Sequence, residues 1–285
     1  MTSYDCITAE RLSGGTIARI AMDRPEVRNA QNRQMLTEID LAMTAAATDD
    51  AVKVIILAGT DPMFSSGHDL RDYPRWLADP CDVTGGVDAE LRETAAGFAR
   101  AGAEGYMAFE EQVYLGLCRR WRELPKPTIA EVQGKVIAGG LMLAWVCDLI
   151  VASEDAQFAD ITIDMGVNGV EWFAHPWELG ARKAKEMLFT GDWVSAQDAW
   201  RLGMVNHVVP REELAGRTLA LAERIATKPT LALKLAKKAV NQTQDIQGFW
   251  TAQQTAFSLH HLGHADMRER GLMPGLPVPP RTDAG

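Results

Sequence analysis

KPTIAEVQGKVIAGGLML, residues 126–143, decides the fold. The segment 126–134 follows prolines and reads as a strand. VIAGGLML (136–143) then turns on Gly139 and Gly140 into an apolar helix. Such a turn leaves backbone N–H groups unpaired at a helix N-terminus. FSSGHDL (64–70) repeats the device, again on a glycine. Set side by side, the two turns would aim a pair of amides at one point. That arrangement stabilises negative charge growing on a carbonyl oxygen, and glycine lets the backbone approach closely. Neither turn has the spacing of a phosphate loop.

Working outward, the first third alternates strands and helices. TIARIAMD (16–23) alternates like a half-buried strand, and RPEVRNAQ (24–31) is a loop entering a helix, with Asn29 as its cap. RQMLTEIDLAMTAAATD (33–49) has helical spacing, and the apolar run VKVIILAG (52–59) suits a strand covered on both faces. Residues 72–105, rich in glycine, proline, alanine and acids, read as an inserted lid with short helical pieces. YMAFEEQVYLGLCRRWREL (106–124) is an amphipathic helix, and DLIVASEDAQFAD (148–160) is a strand leading into a turn. From 171 onward the pattern is helical: 171–180 and 181–191 broken by glycine, then 195–203 capped by Ser195 and stopped by Gly203. After a short strand come three helical patterns and a frayed, proline-rich tail (273–285). An α/β core over 1–205 followed by a helical region over 206–285 is therefore expected.

Composition narrows the partners. The chain has 285 residues, 47% hydrophobic and 24% charged, with a formal net charge of −9. The acidic balance argues against nucleic acid. No apolar run approaches the ~20 residues that span a bilayer, and the first residues lack the layout of a signal peptide. Cys6, Cys81, Cys118 and Cys147 are widely spaced, as expected of free thiols in the cytoplasm. HHLGHAD (260–266) holds three histidines with no second cluster of metal ligands in sequence, so no metal is expected.

Six stretches in order carry a resemblance: RPEVRNAQ, VKVIILAG, FSSGHDL, KPTIAEVQGKVIAGG, CDLIVASEDAQFA and LFTGDWVSAQDAWRLGMVNHVVP. Over about residues 5–245 the chain resembles the crotonase superfamily, the enoyl-CoA hydratase/isomerase enzymes. The resemblance implies an α/β (α+β) spiral of ββα repeats, with a C-terminal α-helical region that forms trimers or hexamers. It implies an acyl-CoA substrate, so coenzyme A arrives as part of the substrate and no prosthetic group is expected. The oxyanion amides would be the N–H groups of His68 and Gly139. The CoA-binding segments would fall on Arg28, Asn29 and Ala30, on Ser66, Gly67, Asp69 and Leu70, and on Gly140. A lysine among Lys234, Lys237 and Lys238, otherwise a solvated face, would suit a neighbour's CoA phosphate. Tryptophans such as Trp172 would line the acyl pocket.

The resemblance also raises a difficulty. Hydratases of this family use two glutamates to hold and deprotonate water. Their positions fall here on Met142 and Thr162, and neither side chain is a useful base. Other members carry an acid near the start of the next helix, and Glu171 lies close to that slot. Reading 171–180 as a helix puts His175 four residues on, on the same face, as a relay partner. Asp164 is a further candidate. Asp69 reads as a helix cap, the His68 imidazole could cover the acyl group, and Glu110 and Tyr114 could face the pocket. The expectation is a thioester-enolate enzyme weak on simple straight-chain enoyl-CoA. Two alternatives remain open: an isomerase or hydrolase for a branched, cyclic or aromatic acyl group, and a silent acyl-CoA-binding relative.

Overall fold

The computed structural model describes residues 4–71 and 102–272. The inserted lid, apart from its last residues, and the proline-rich tail lie outside the described residues, as does Cys81. Cys6, Cys118 and Cys147 are buried free thiols.

The chain opens with antiparallel β1 (Ile7–Leu12) and β2 (Ile17–Met22), helix α1 (Arg33–Thr48) and β3 (Val54–Gly59). Helix α2 (Ala103–Glu110) runs through a π-helical turn (Glu111–Gly116) into α3 (Leu117–Arg122). The long helix expected over 106–124 is thus interrupted by one wide turn, a form common at functional sites. Next come β4 (Thr128–Val132), β5 (Lys135–Ile137), α4 (Gly139–Trp145), β6 (Leu149–Ser153) and β7 (Gln157–Ala159). Then follow α5 (His175–Thr190), β8 (Val194–Ser195), α6 (Ala196–Leu202) and β9 (His207–Val209). Helices α7 (Leu214–Ala226), α8 (Thr230–Ile246) and α9 (Phe249–Glu269) complete the described chain. No helix among the described residues is long and apolar enough to cross a membrane.

Two sheets result. One has the order β1-β2-β3-β4-β6-β9 and is parallel after the first pair; the other is β5-β7-β8. Successive strands pass from the first sheet to the second (β4 to β5, β6 to β7), which winds ββα units into the expected spiral. As its sequence foretold, β3 is buried on both faces. Ile55 and Leu57 enter the main core, whereas Val54 and Ile56 join Ile129, Val151, Leu214 and Ala222 beneath α7. Period-two alternation across a sheet covered on both sides produces this division.

Two local expectations are corrected. Asn32, not Asn29, caps α1: its side chain accepts from Met35 N at 2.9 Å. Asn29 is fully buried, and its amide donates to the carbonyls of Thr60 and Met63 at 2.8 and 2.9 Å. Helix α5 begins at His175, with Pro176 in its first turn, so residues 171–174 precede it rather than belonging to it. Gly180, at φ 73°, then breaks the helix near the expected point.

Candidate active site

The two glycine turns do meet. Isolated bridges join Ser65 to Val136 and His68 to Gln31. A Cβ on Gly67, whose φ is +89°, would lie 2.8 Å from Ile137 O and 3.1 Å from Gly139 N. Only glycine therefore lets these loops touch. Among the described residues, neither the His68 nor the Gly139 N–H donates to a backbone carbonyl. The flanking amides are committed, Gln31 N to Gly67 O at 2.8 Å and Asp69 N to Gln31 O at 2.9 Å. The Ser65 hydroxyl fixes the loop, donating to Asn29 O at 2.8 Å and accepting from Gly67 N at 3.2 Å.

The His68 imidazole lies flat on Tyr114, with ring centroids 3.9 Å apart and planes 10° apart. Its Nε2 is 3.1 Å from Glu171 Oε2, and the Glu171 side chain is 3% exposed. The other carboxylate oxygen, Oε1, lies 3.6 Å from His260 Nε2. His260 belongs to α9, and its Nε2 is also 3.5 Å from Glu110 Oε2. Two more α9 imidazoles reach Glu110: His261 Nε2 at 3.2 Å and His264 Nε2 at 3.5 Å. A chain of acids and imidazoles thus runs from the oxyanion loop into the helical layer.

Electrostatics in this cluster are governed by burial and mutual charge. Burial opposes a charged Glu110, but His260 and His264 outweigh it and hold the carboxyl well below its usual range. Burial likewise opposes a charged His260, yet Glu110 and Glu171 raise its pKa to about 9. His261 goes the other way: burial lowers it to about 4 despite Glu110. The field of Glu110 and Glu171 thus prevails over burial at His260, whereas burial prevails at His261.

The candidate residues separate cleanly. His68, Gly139, Glu171, Glu110 and Tyr114 lie in or against this site. His175 does not share a face with Glu171: it is fully buried, its Nε2 2.8 Å from Asp160 Oδ2. Its ring packs edge-on to Trp145 and tilted on Phe173. Asp164 sits in a 3-10 turn (Thr162–Met165) and is exposed, beside Gly191. His175 is thus engaged by Asp160 rather than Glu171, and Asp164 faces solvent. Met142 is buried in α4, and Thr162 donates its hydroxyl to Asp160 Oδ1 at 2.7 Å.

Among the CoA-binding candidates, Arg28 is exposed in a left-handed turn at φ 58° and Leu70 is 45% exposed. Ala30 is buried, and Ser66 is half-buried, donating its N–H to Arg28 O at 3.0 Å. The Asn29 and Asp69 side chains brace the loops. The Asp69 carboxylate holds Arg24 at 3.1 Å and Arg71 at 2.9 Å, which keeps it well below its usual range. Gly140 packs closely on the first turn: a Cβ there would lie 2.7 Å from Ser65 O. Lys234 and Lys238 are exposed, but Lys237 is 7% exposed and paired with Asp148 at 2.8 Å. Trp172 is buried edge-on to Phe249 at the start of α9. A cleft of about 510 Å³ between α4, β6 and α8 includes neither His68 nor Glu171.

Sequence reading discounted the α9 histidines. It found no second ligand cluster beside 260–266; Glu110 on α2 supplies it. The signal in the sequence was the four-residue spacing of His260 and His264, which places both on one helical face.

The sequence matches the enoyl-CoA hydratase/isomerase family over residues 13–88 and 94–274. A Mycobacterium tuberculosis relative, EchA13, is 46% identical over 267 residues, covering 93% of this chain and 83% of that protein. The crystal structure of a probable enoyl-CoA hydratase from Mycobacterium smegmatis superposes with a TM-score of 0.82 at 46% identity. It covers 95% of this chain and 99% of that one. A crotonyl-CoA hydratase of Syntrophomonas wolfei is 32% identical over 250 residues, 85% of each chain.

Proposed function

The chain belongs to the enoyl-CoA hydratase/isomerase family, and from that premise we propose that this enzyme forms and protonates the enolate of an acyl-CoA thioester. The N–H groups of His68 and Gly139 hold the thioester oxygen, and Glu171 moves the proton. The observation that carries this reading is the bond between Glu171 and the His68 imidazole. It fixes the carboxylate beside the residue whose own amide faces the oxyanion. Coenzyme A is then substrate rather than resident cofactor. The exposed Arg28 and Leu70 offer it a surface at the edge of the site.

The family's two hydratase glutamates correspond here to Met142 and Thr162, so neither of those positions offers water a carboxylate. Fast hydration of a short straight-chain enoyl-CoA is accordingly not expected. Bulky branched, cyclic or aromatic thioesters are the favoured class, because the stacked rings of His68 and Tyr114 stand beside the oxyanion loop. An assembly of trimers or hexamers in the cytoplasm accords with this reading.

The test is exchange of the α-proton in D₂O, followed by mass spectrometry across a panel of saturated and unsaturated acyl-CoA esters. Exchange reports enolate formation whatever product follows. At least one bulky ester should exchange, with crotonyl-CoA hydrated slowly. Rapid crotonyl-CoA hydration that disappears in Thr162→Ala would overturn the assignment to Glu171. A complete lack of exchange would leave a CoA-ester binder without chemistry.

Gly139→Ala probes the oxyanion pair. The added Cβ would lie 2.6 Å from His68 Cε1, 2.7 Å from His68 Nδ1 and 3.0 Å from Gln31 Oε1. The imidazole must leave Tyr114 and Glu171 to admit it. Exchange should fall about 10²–10³-fold, the usual cost of one oxyanion donor. An unchanged exchange rate would remove Gly139 from the mechanism.

A further inference from the structure

The geometry points to a metal site in this molecule: Glu110, His260 and His264 bind one divalent transition-metal ion, of the Zn²⁺ class, beside the thioester pocket. A ligand atom from each of the three lies within 4.8 Å of the others. His260 Nε2 is 3.5 Å from Glu110 Oε2 and His264 Nε2 is 3.5 Å from Glu110 Oε1, so one imidazole faces each carboxylate oxygen. Ligand atoms on a tetrahedral zinc with bonds of about 2.0–2.1 Å stand about 3.3–3.4 Å apart. Both carboxylate–imidazole separations exceed the ~2.7–2.9 Å of a charge-assisted hydrogen bond, and the three ligand atoms, within 4.8 Å of one another, would contract onto an ion.

The ring orientation of His260 argues independently. Its Nδ1–H donates to Gly169 O at 2.7 Å, and the residue is 3% exposed. This backbone bond fixes the ring so that Nε2 is the nitrogen aimed at Glu110, ready to bind an ion that displaces its proton. Outer partners of metal-binding imidazoles do the same. His260 Nε2 and both ring nitrogens of His264 are buried and make no hydrogen bond among the described residues. A carboxylate with two imidazoles and no thiol suits Zn²⁺ and its first-row neighbours better than Cu⁺ or Mg²⁺. Glu171, 3.6 Å from His260 Nε2, would stand beside the ion's open position, facing His68.

The inference does not depend on the thioester reading, because its test uses no thioester. Protein carrying no polyhistidine tag is stripped with a chelator, loaded with Zn²⁺, desalted and analysed for metal. Co²⁺ is titrated separately by absorption spectroscopy. One Zn²⁺ per chain should be retained, and Co²⁺ should give the bands of a nitrogen–oxygen site. His264→Ala and Glu110→Gln should each weaken Co²⁺ binding at least about 100-fold, more than the loss of an outer partner. A rise in the wild-type melting temperature on adding Zn²⁺, reversed by chelator, gives a reading that needs no variant to fold. Less than half an equivalent of Zn²⁺ retained, with no melting shift, overturns the proposal. So does His264→Ala binding Co²⁺ as tightly as the wild type.

Discussion

Glu171→Gln is expected to lower kcat about 10²–10⁴-fold, the range for losing a positioned acid or base. KM and melting temperature should stay close to the wild type. Glutamine keeps the size and planarity of the side chain and can still accept a hydrogen bond from His68 Nε2. The stacking of His68 on Tyr114 is then preserved, and with it the loop that presents the His68 amide. What is lost is the ability to accept a proton. That split between kcat and KM distinguishes a proton carrier from a residue that only shapes the pocket. Most of the activity persisting in Glu171→Gln would pass the role to Glu110, the other carboxylate facing His260. Thr162→Ala is the contrast: its hydroxyl serves Asp160, so it should change melting temperature and leave kcat alone.

The second large effect concerns stability. Asp160→Ala should destabilise the fold by about 3–5 kcal/mol, the cost of breaking a buried ion pair by removing one partner. Asp160 is fully buried. It accepts from Thr162 N at 3.0 Å, Thr162 Oγ1 at 2.7 Å and Val170 N at 2.9 Å, and it pairs with His175 Nε2 at 2.8 Å. Truncation orphans all of these groups at once. The aspartate ties β7 to the start of α5, so the chain between them, Glu171 included, loses its anchor. The expected shift in melting temperature is on the order of 10 °C.

The pH dependence follows from the same contacts. Burial opposes ionisation of Asp160, but His175 and Thr162 outweigh it and depress its pKa below the ordinary 3.8. An acid depressed in this way stabilises the fold above about pH 4, and the contribution fades as pH falls through the folded-state pKa. The melting-temperature gap between wild type and Asp160→Ala should be full at neutral pH and narrow as the solution is acidified below 4. A gap that does not depend on pH would place the effect in packing rather than charge.

These residues also show what the sequence could and could not convey. The glycine turns were legible because an amide's direction is set by a handful of neighbouring dihedral angles. Gly67, His68 and Gly139 met as expected for that reason. Glu171 was reached by counting along the chain, but its partner was misread. A helix assumed over 171–180 selected His175, whereas Pro176, favoured in a helix's first turn, already marked where the helix starts. His175 turned inward to Asp160, fifteen residues back, and the oxyanion loop's own imidazole took its place beside Glu171. The Glu110 cluster was out of reach for a different reason. It joins residues about 150 positions apart, through a helix–helix approach that no local periodicity encodes. Asn29 and Asn32 differ by one turn of loop geometry, and either suits a cap by composition alone.

Helix α9 carries a consequence in time. Its imidazoles complete a constellation whose other members, His68, Glu110 and Glu171, leave the ribosome much earlier. Domains begin to organise during synthesis, N-terminal parts first. A nascent chain can therefore build the glycine turns and present Glu171 while the far side of that carboxylate still faces water. The pocket reaches its final charge balance only when the last helix docks. On the proposed reading, activity would be acquired only once α9 has been made and has docked.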